Sequence, residues 1–139
     1  MRAAVIVMPT YNETENVQWL VPRILDALEG TGWRALVLVV DDNSPDGTAK
    51  VAERIGAERG GVEVLRRPAK LGIGSAYIDG LKRVLEGHGW ADYVCEMDAD
   101  GSHSTETLLE MLEHAGKTGA DVVVGSRYVE GGSWEGPPA

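Results

Sequence analysis

The sequence predicts an α/β fold: a doubly wound, mostly parallel sheet with helices on both faces. Short apolar runs without alternation recur along the chain, as in strands buried on both faces. Each run is followed by apolar residues at three- and four-residue spacing, as on one side of a helix. The resulting order, β-α-β-α-β-α-β-α-β, implies parallel strands joined by right-handed crossovers.

Ala3 to Met8 is the first such run, and Pro9-Thr10-Tyr11-Asn12-Glu13 should end it, because proline lacks a donor. Val17, Leu20, Val21, Ile24, Leu25 and Leu28 then mark a helix over Thr14–Glu29. Pro22 inside it should kink the helix or shift its start, and Gly30 and Gly32 should end it. Ala35 to Val40 is the clearest strand; it runs into Asp41-Asp42-Asn43-Ser44-Pro45-Asp46-Gly47-Thr48, a cluster dense in turn formers. Asp46 or Ser44 can cap the weakly amphipathic helix expected over Thr48–Glu58. Val62 to Leu65 reads as a short strand, followed by Arg66, Arg67 and Lys70, a tight basic group.

Leu71 to Ala76 opens a third helix, with Ala76, Tyr77, Leu81, Val84 and Leu85 on one side. Gly72 and Gly74 invite a dinucleotide-fingerprint reading. It fails, because Tyr77 holds the third glycine position and the stretch does not follow the first strand. Close packing of Gly72, Gly74 and Gly80 is the better account. Asp92 to Met97 is the fourth strand. A helix over Thr105–Ala115, capped by Ser102 or Ser104, leads to a fifth strand over Asp121–Gly125. Residues 129–139 lack periodicity and read as a mobile tail after a single domain over residues 1–128.

The 139 residues allow one domain with a real core, at 43% hydrophobic and 25% charged residues. A net charge of −9 argues against a general nucleic-acid binder, which usually has a basic surplus. It leaves room for one phosphorylated ligand held through a cation. One cysteine cannot form an intrachain disulfide, and a reducing, cytoplasmic setting fits. No apolar run has the length of a membrane span, and the N-terminus enters a strand pattern with no signal peptide. The Asn12-Glu13-Thr14 sequon is therefore read as chance.

In doubly wound sheets, ligands sit beyond the carboxyl ends of the strands. Pro9–Glu13, Asp41–Asp46, Asp98–Ser102 and Ser126–Arg127 all fall there, so four polar clusters should meet on one rim. Asp98 and Asp100, two residues apart after an apolar strand, can converge on one hard cation such as Mg²⁺ or Mn²⁺. A polar strand-to-helix turn would also contain Asp, Gly and Ser. An acidic rim with an arginine points to a nucleoside diphosphate compound held through that metal. Asp42 could accept hydrogen bonds from a base or ribose, Tyr11 could pack on a base, and Arg127 could fork onto phosphate. Ordinary loop and surface roles remain open for Tyr11 and Arg127. The histidines show no ligand spacing with one another.

Five motifs occur in order: Pro9-Thr10-Tyr11-Asn12-Glu13, Asp41 to Thr48, Lys70 to Tyr77, Met97-Asp98-Ala99-Asp100 with Ser102-His103, and Gly125-Ser126-Arg127-Tyr128. Together they resemble the polyprenol (dolichol) phosphate mannosyltransferases of glycosyltransferase family 2, which have the GT-A, nucleotide-diphospho-sugar transferase fold. The resemblance covers almost the whole chain up to Tyr128. It implies transfer of mannose from GDP-mannose to a polyprenyl phosphate, with inversion and with Mg²⁺ or Mn²⁺. It implies that Pro9, Tyr11, Glu13, Val40 and Asp42 hold the guanosine part. Asp98, Ala99 and Asp100 would form the metal and diphosphate site with Ser102 beside them, and Arg127 would contact the diphosphate or sugar. Gly101 stands where the family more often has a larger apolar residue, which would loosen that loop. The family continues well beyond residue 139, with acceptor-facing and membrane-associating parts. The resemblance thus implies an N-terminal fragment, whose membrane contact would lie in the missing C-terminal part and whose place would be the cytoplasmic membrane face.

Three rival readings stand beside this one: another nucleotide sugar such as UDP-glucose, a donor-binding fragment without turnover, and a sugar-1-phosphate nucleotidyltransferase. The last lacks the expected Gly-rich, Arg-bearing loop after the first strand.

Overall fold

The computed structural model describes residues 2–100, 105–118 and 122–124. Its element order is β1 (Ala3–Thr10), α1 (Thr14–Gly30), β2 (Arg34–Asp41), α2 (Thr48–Arg59), β3 (Val62–Arg66), α3 (Ile73–Gly87), β4 (Tyr93–Glu96), α4 (Thr105–Thr118) and β5 (Val122–Val124). The strands form one sheet in the order β3-β2-β1-β4-β5, and every neighbouring pair is parallel.

Two apolar layers sandwich the sheet. On one face Ile6, Met8, Val37 and Val39 meet α1, α2 and α4, including Leu20, Ile24, Ala52, Leu108 and Leu112. On the other, Val5, Val7, Leu38 and Val40 meet α3 through Ala76 and Val84. The central strands are thus buried on both sides, which is why their sequences run apolar without alternation.

Several boundary expectations are corrected. Pro9 does not end β1: the strand continues to Thr10, with Pro9 in register with Val40. The reason lies in the ladder. The Val7 carbonyl accepts from Met97 N–H on the β4 side (3.0 Å), and the Thr10 carbonyl accepts from Asp42 N–H on the β2 side (3.1 Å). Alternation points the missing Pro9 donor toward β4, whose pairing with β1 has ended at Val7↔Glu96. Nor does Pro22 shift the start of α1, which begins at Thr14 and runs on through it. The apolar side of α3 is Ala76, Gly80 and Val84, while Leu81 and Leu85 remain exposed.

The expected single crossover hand also fails once. The chain moves outward from β1 to β3 beneath α1 and α2, then returns to β4 beneath α3 on the opposite face. These three crossovers share one hand. From β4 to β5 the chain moves opposite to its step from β1 to β2, yet α4 lies on the α1 face. Its crossover therefore has the other hand, an uncommon arrangement for parallel strands. The turn after β4 buries Met97 and Ala99 in the α1-side layer, and α4 continues in that layer.

Gly80 sets how closely α3 approaches the sheet. A β-carbon there would overlap Val7 Cγ1 and press on Val40 Cγ2 at 3.3 Å. Overpacking costs about 1–3 kcal/mol, against a gain of about 1 kcal/mol in helix propensity for Gly→Ala. Gly80→Ala should accordingly lower the urea midpoint. A raised midpoint would show that Val7 has room to give.

Candidate active site

A cleft of about 240 Å³ opens where the carboxyl ends of β1, β2 and β4 meet. Strand order reverses there, since β1 is followed on one side by β2 and on the other by β4. Pro9, Thr10, Tyr11, Glu13 and Asp42 line one wall, Lys70, Gly72 and Ile73 a second, and Asp98, Ala99 and Asp100 a third.

The first wall is built by cross-ties between two loops. Asn12 and Asn43 both adopt left-handed backbone (φ 54° and 58°), which asparagine tolerates. The Asn12 N–H donates to Ser44 Oγ (2.9 Å), and the Glu13 N–H donates to Thr48 Oγ1 (3.0 Å). The buried Asp41 carboxylate accepts from Thr10 Oγ1 (2.6 Å) and from the Ser44 N–H (2.9 Å) and Oγ (2.7 Å). Asp46 accepts from the Thr48 N–H (3.0 Å) and the Thr14 N–H (3.3 Å), so it serves the starts of two helices. Asp41 and Asp46 are thus structural, and they hold Tyr11 and Glu13 at the rim.

Asp42 reaches the cleft but is not free within it. Arg67 grips it from behind with two parallel bonds, Nε to Oδ1 (2.6 Å) and Nη2 to Oδ2 (3.0 Å). The Leu71 N–H donates to Oδ2 as well (3.1 Å). Arg67 is itself spent on Ser75 Oγ (2.7 Å), Asp79 Oδ2 (3.0 Å) and the Gly72 carbonyl (2.9 Å). Burial pushes the Asp42 carboxyl up, but the Arg67 bonds and the Leu71 and Gly72 amides outweigh it and hold it below the ordinary value. An ionised, rigid acceptor is the result.

Asp98 and Asp100 do not lie on a strand. β4 stops at Glu96, and the acids occupy the turn beyond it. Alternation nonetheless persists, because Met97 and Ala99 bury in the core while Asp98 and Asp100 line the cleft. Negative charge is concentrated there. The Glu13 carboxyl is pushed up, first by burial, which a bond from Asn16 opposes, and then by the carboxylates of Asp100, Asp46 and Asp98. Among the described residues no three His, Cys, Asp or Glu side chains form a protein-only metal cage. Two carboxylates in a charge-dense cleft have the oxygen chemistry that a hard cation such as Mg²⁺ or Mn²⁺ accepts.

Of the residues expected at the site, Pro9, Tyr11, Glu13, Asp42, Asp98, Ala99 and Asp100 come together. Val40 does not bring its side chain to the cleft; it is fully buried beneath α3. Ser102 and Arg127 lie outside the described residues, as do Gly101 and the 129–139 tail. Thr10 lines the cleft within the Pro9–Glu13 cluster expected on the rim, while sequence reasoning missed Lys70, Gly72 and Ile73 as lining residues. Lys70 Nζ sits 4.5 Å from the centre of the Tyr11 ring. Gly72 has φ +102°, a conformation that favours glycine, and lends its carbonyl to Arg67. The basic cluster after β3 was the available signal for Arg67 and Lys70; nothing in it separated the buried arginine from the exposed lysine.

The model of the family described as glycosyl transferase family 2 matches residues 5–138. The chain belongs to this family. Among curated relatives, the family-2 chain is 43% identical over 129 residues to a polyprenol monophosphomannose synthase of Mycolicibacterium smegmatis. It is 48% identical over 126 residues to an undecaprenyl-phosphate mannosyltransferase of Micrococcus luteus. It is 42% identical over 133 residues to a dolichol-phosphate mannosyltransferase of Pyrococcus furiosus. These alignments take in 92%, 91% and 96% of this chain but 46%, 49% and 35% of the relatives, so it spans about half their length or less. Among solved structures, S. aureus TarS superposes with a TM-score of 0.61 at 26% identity, over 84% of this chain and 33% of that one. The mannosyltransferase PcManGT from Pyrobaculum calidifontis, solved in complex with GDP-Man and Mn²⁺, also gives 0.61, at 22% identity over 81% and 32%. The GT-A fold follows, in keeping with membership of the family.

Proposed function

We propose that this family-2 chain forms the donor-binding part of a mannosyltransferase that carries mannose from GDP-mannose to a polyprenyl phosphate. The observation that carries the reading is the convergence of Asp98 and Asp100 with Asp42 and Tyr11 in one cleft at the sheet's switch point. The names of the three curated relatives, which share a lipid-phosphate acceptor and mannosyl transfer, support the choice of reaction.

In this proposal Asp42, held ionised by Arg67, accepts from the guanine or ribose, while Pro9 and Tyr11 pack against the nucleoside. Asp98 and Asp100 would hold Mg²⁺ or Mn²⁺. The cation, when bound, neutralises charge on the diphosphate as it departs. Ser102 and Arg127 are assigned to the diphosphate and sugar. A phosphate oxygen of the acceptor attacks the anomeric carbon from the face opposite the leaving group, so the new bond forms with inversion and GDP leaves. A phosphate monoester has a second pKa of about 6, so the nucleophile is already ionised near neutral pH and needs no strong general base. Residues 1–128 are assigned to this domain, and the lipid acceptor would bring the reaction to a membrane surface. Among the described residues no helix is long and apolar enough to cross a membrane.

Calorimetry on this chain with Mn²⁺ and either GDP-mannose or UDP-glucose tests the donor. GDP-mannose should bind more tightly, while tighter UDP-glucose binding would replace mannose with another sugar of the same family. Binding of GDP-mannose without transfer to a polyprenyl phosphate would mark the chain as a donor-binding module only.

A further inference from the structure

We propose that Tyr77 is a positioning residue for the cation-holding carboxylate Asp98, acting from behind the cleft; this rests on the cation reading of Asp98 and Asp100 above. The Tyr77 hydroxyl donates to Asp98 Oδ1 at 2.8 Å, across 21 residues of chain. The direction of that bond follows from chemistry, since an ionised carboxylate can only accept. Tyr77 is half-buried on α3 and does not line the cleft. It therefore meets the carboxylate on the side away from the substrate.

The bond has a geometric consequence. It engages one lone pair of Oδ1, restricts rotation of the carboxylate, and leaves Oδ2 for a cation. Partners of this kind behind a ligand orient it and tune its basicity, and losing one typically costs about 10–100-fold in metal affinity. The turn that bears Asp98 needs such support. It lies beyond the end of β4, and the last sheet bond, from the Met97 N–H to the Val7 carbonyl, stops one residue before Asp98. The support itself is rigid, because α3 is pressed onto β1 where Gly80 faces Val7, three residues from Tyr77. The hydroxyl is well suited to remain a donor. Burial, the bond to Asp98, and the charges of Asp98, Glu96 and Asp100 all oppose its ionisation.

Tyr77→Phe keeps the ring and removes only the donor. Manganese titrations followed by electron paramagnetic resonance, run with saturating GDP, should show a Mn²⁺ Kd raised about 10-fold. GDP affinity measured in EDTA should be unchanged, since the nucleoside wall is untouched. A merely structural role would weaken both measurements together, and that result, or an unaltered Mn²⁺ Kd, overturns the assignment. If the wild-type chain takes no Mn²⁺ at all, the cation reading fails first and this inference fails with it.

Discussion

An Arg67→Ala chain should lose about 3–5 kcal/mol of folding stability, as when one partner of a buried ion pair is removed. Arg67 is 3% exposed and Asp42 is 8% exposed on their side chains. The substitution would leave the Asp42 carboxylate buried with only the Leu71 and Gly72 amides to hold it, and would also remove the partner of Ser75, Asp79 and the Gly72 carbonyl. Acid should narrow the gap between the two proteins. In the wild type the folded-state value of Asp42 lies below its unfolded value. Its contribution is therefore complete above an unfolded pKa of about 3.9 and is lost as the pH falls through the folded value. In the variant, burial without the guanidinium raises the folded value, so acid near pH 4 relieves the variant while the wild type still keeps its contribution. Urea midpoints at neutral pH and near pH 4 should converge. A gap that stays constant across that range would mean that the lost stability comes from packing rather than from the ion pair.

The second large effect is expected at Asp100. Asp100→Ala should remove the metal-dependent part of GDP affinity, a loss on the order of 100-fold, at least that of losing a residue behind a ligand. Folding should be nearly unaffected, within about 0.5 kcal/mol, as for surface substitutions, because Asp100 is exposed in a turn. Calorimetry with GDP in Mn²⁺ and in EDTA checks both halves of this expectation. Unaltered binding in Mn²⁺ would remove Asp100 from the cation site. A collapse of binding in EDTA as well would show that the residue shapes the nucleoside wall instead. The contrast with Arg67 is informative, since one residue holds the cleft together and the other is held by it.

Much of this site is local in origin. The apolar runs of β1 and β2 and the turn formers after them are contiguous in the chain. Asp42, Tyr11 and Glu13 could thus be placed at strand ends before any contact was known, and the strand-end rule brings them to one rim. The alternation that turns Asp98 and Asp100 outward is local as well, and it survives the end of β4. Tyr77 and Arg67 are different. Both lie on or just before α3, where helical periodicity predicts which side is apolar but not which way that side turns. Gly80 decides it: only a residue without a β-carbon fits against Val7, so the helix rotates to put Ala76, Gly80 and Val84 on the sheet. That rotation leaves Leu85 exposed and brings the Tyr77 hydroxyl to Asp98.

The sequence by itself determined the α/β class, the parallel order of elements, the family resemblance, and the acids at the carboxyl ends. These depend on spacing along the chain and on the short-range preferences of proline, glycine and apolar residues. Tertiary structure alone decided that α4 crosses back on the α1 face, that Pro9 stays within β1, and that Asp42 is clamped by Arg67 while Asp98 is held by Tyr77. The physical reason is the same in each case. Each outcome depends on which distant groups lie opposite one another once two layers have packed on the sheet, and hydrogen bonds between residues 21 or 25 positions apart leave no periodic trace along the chain.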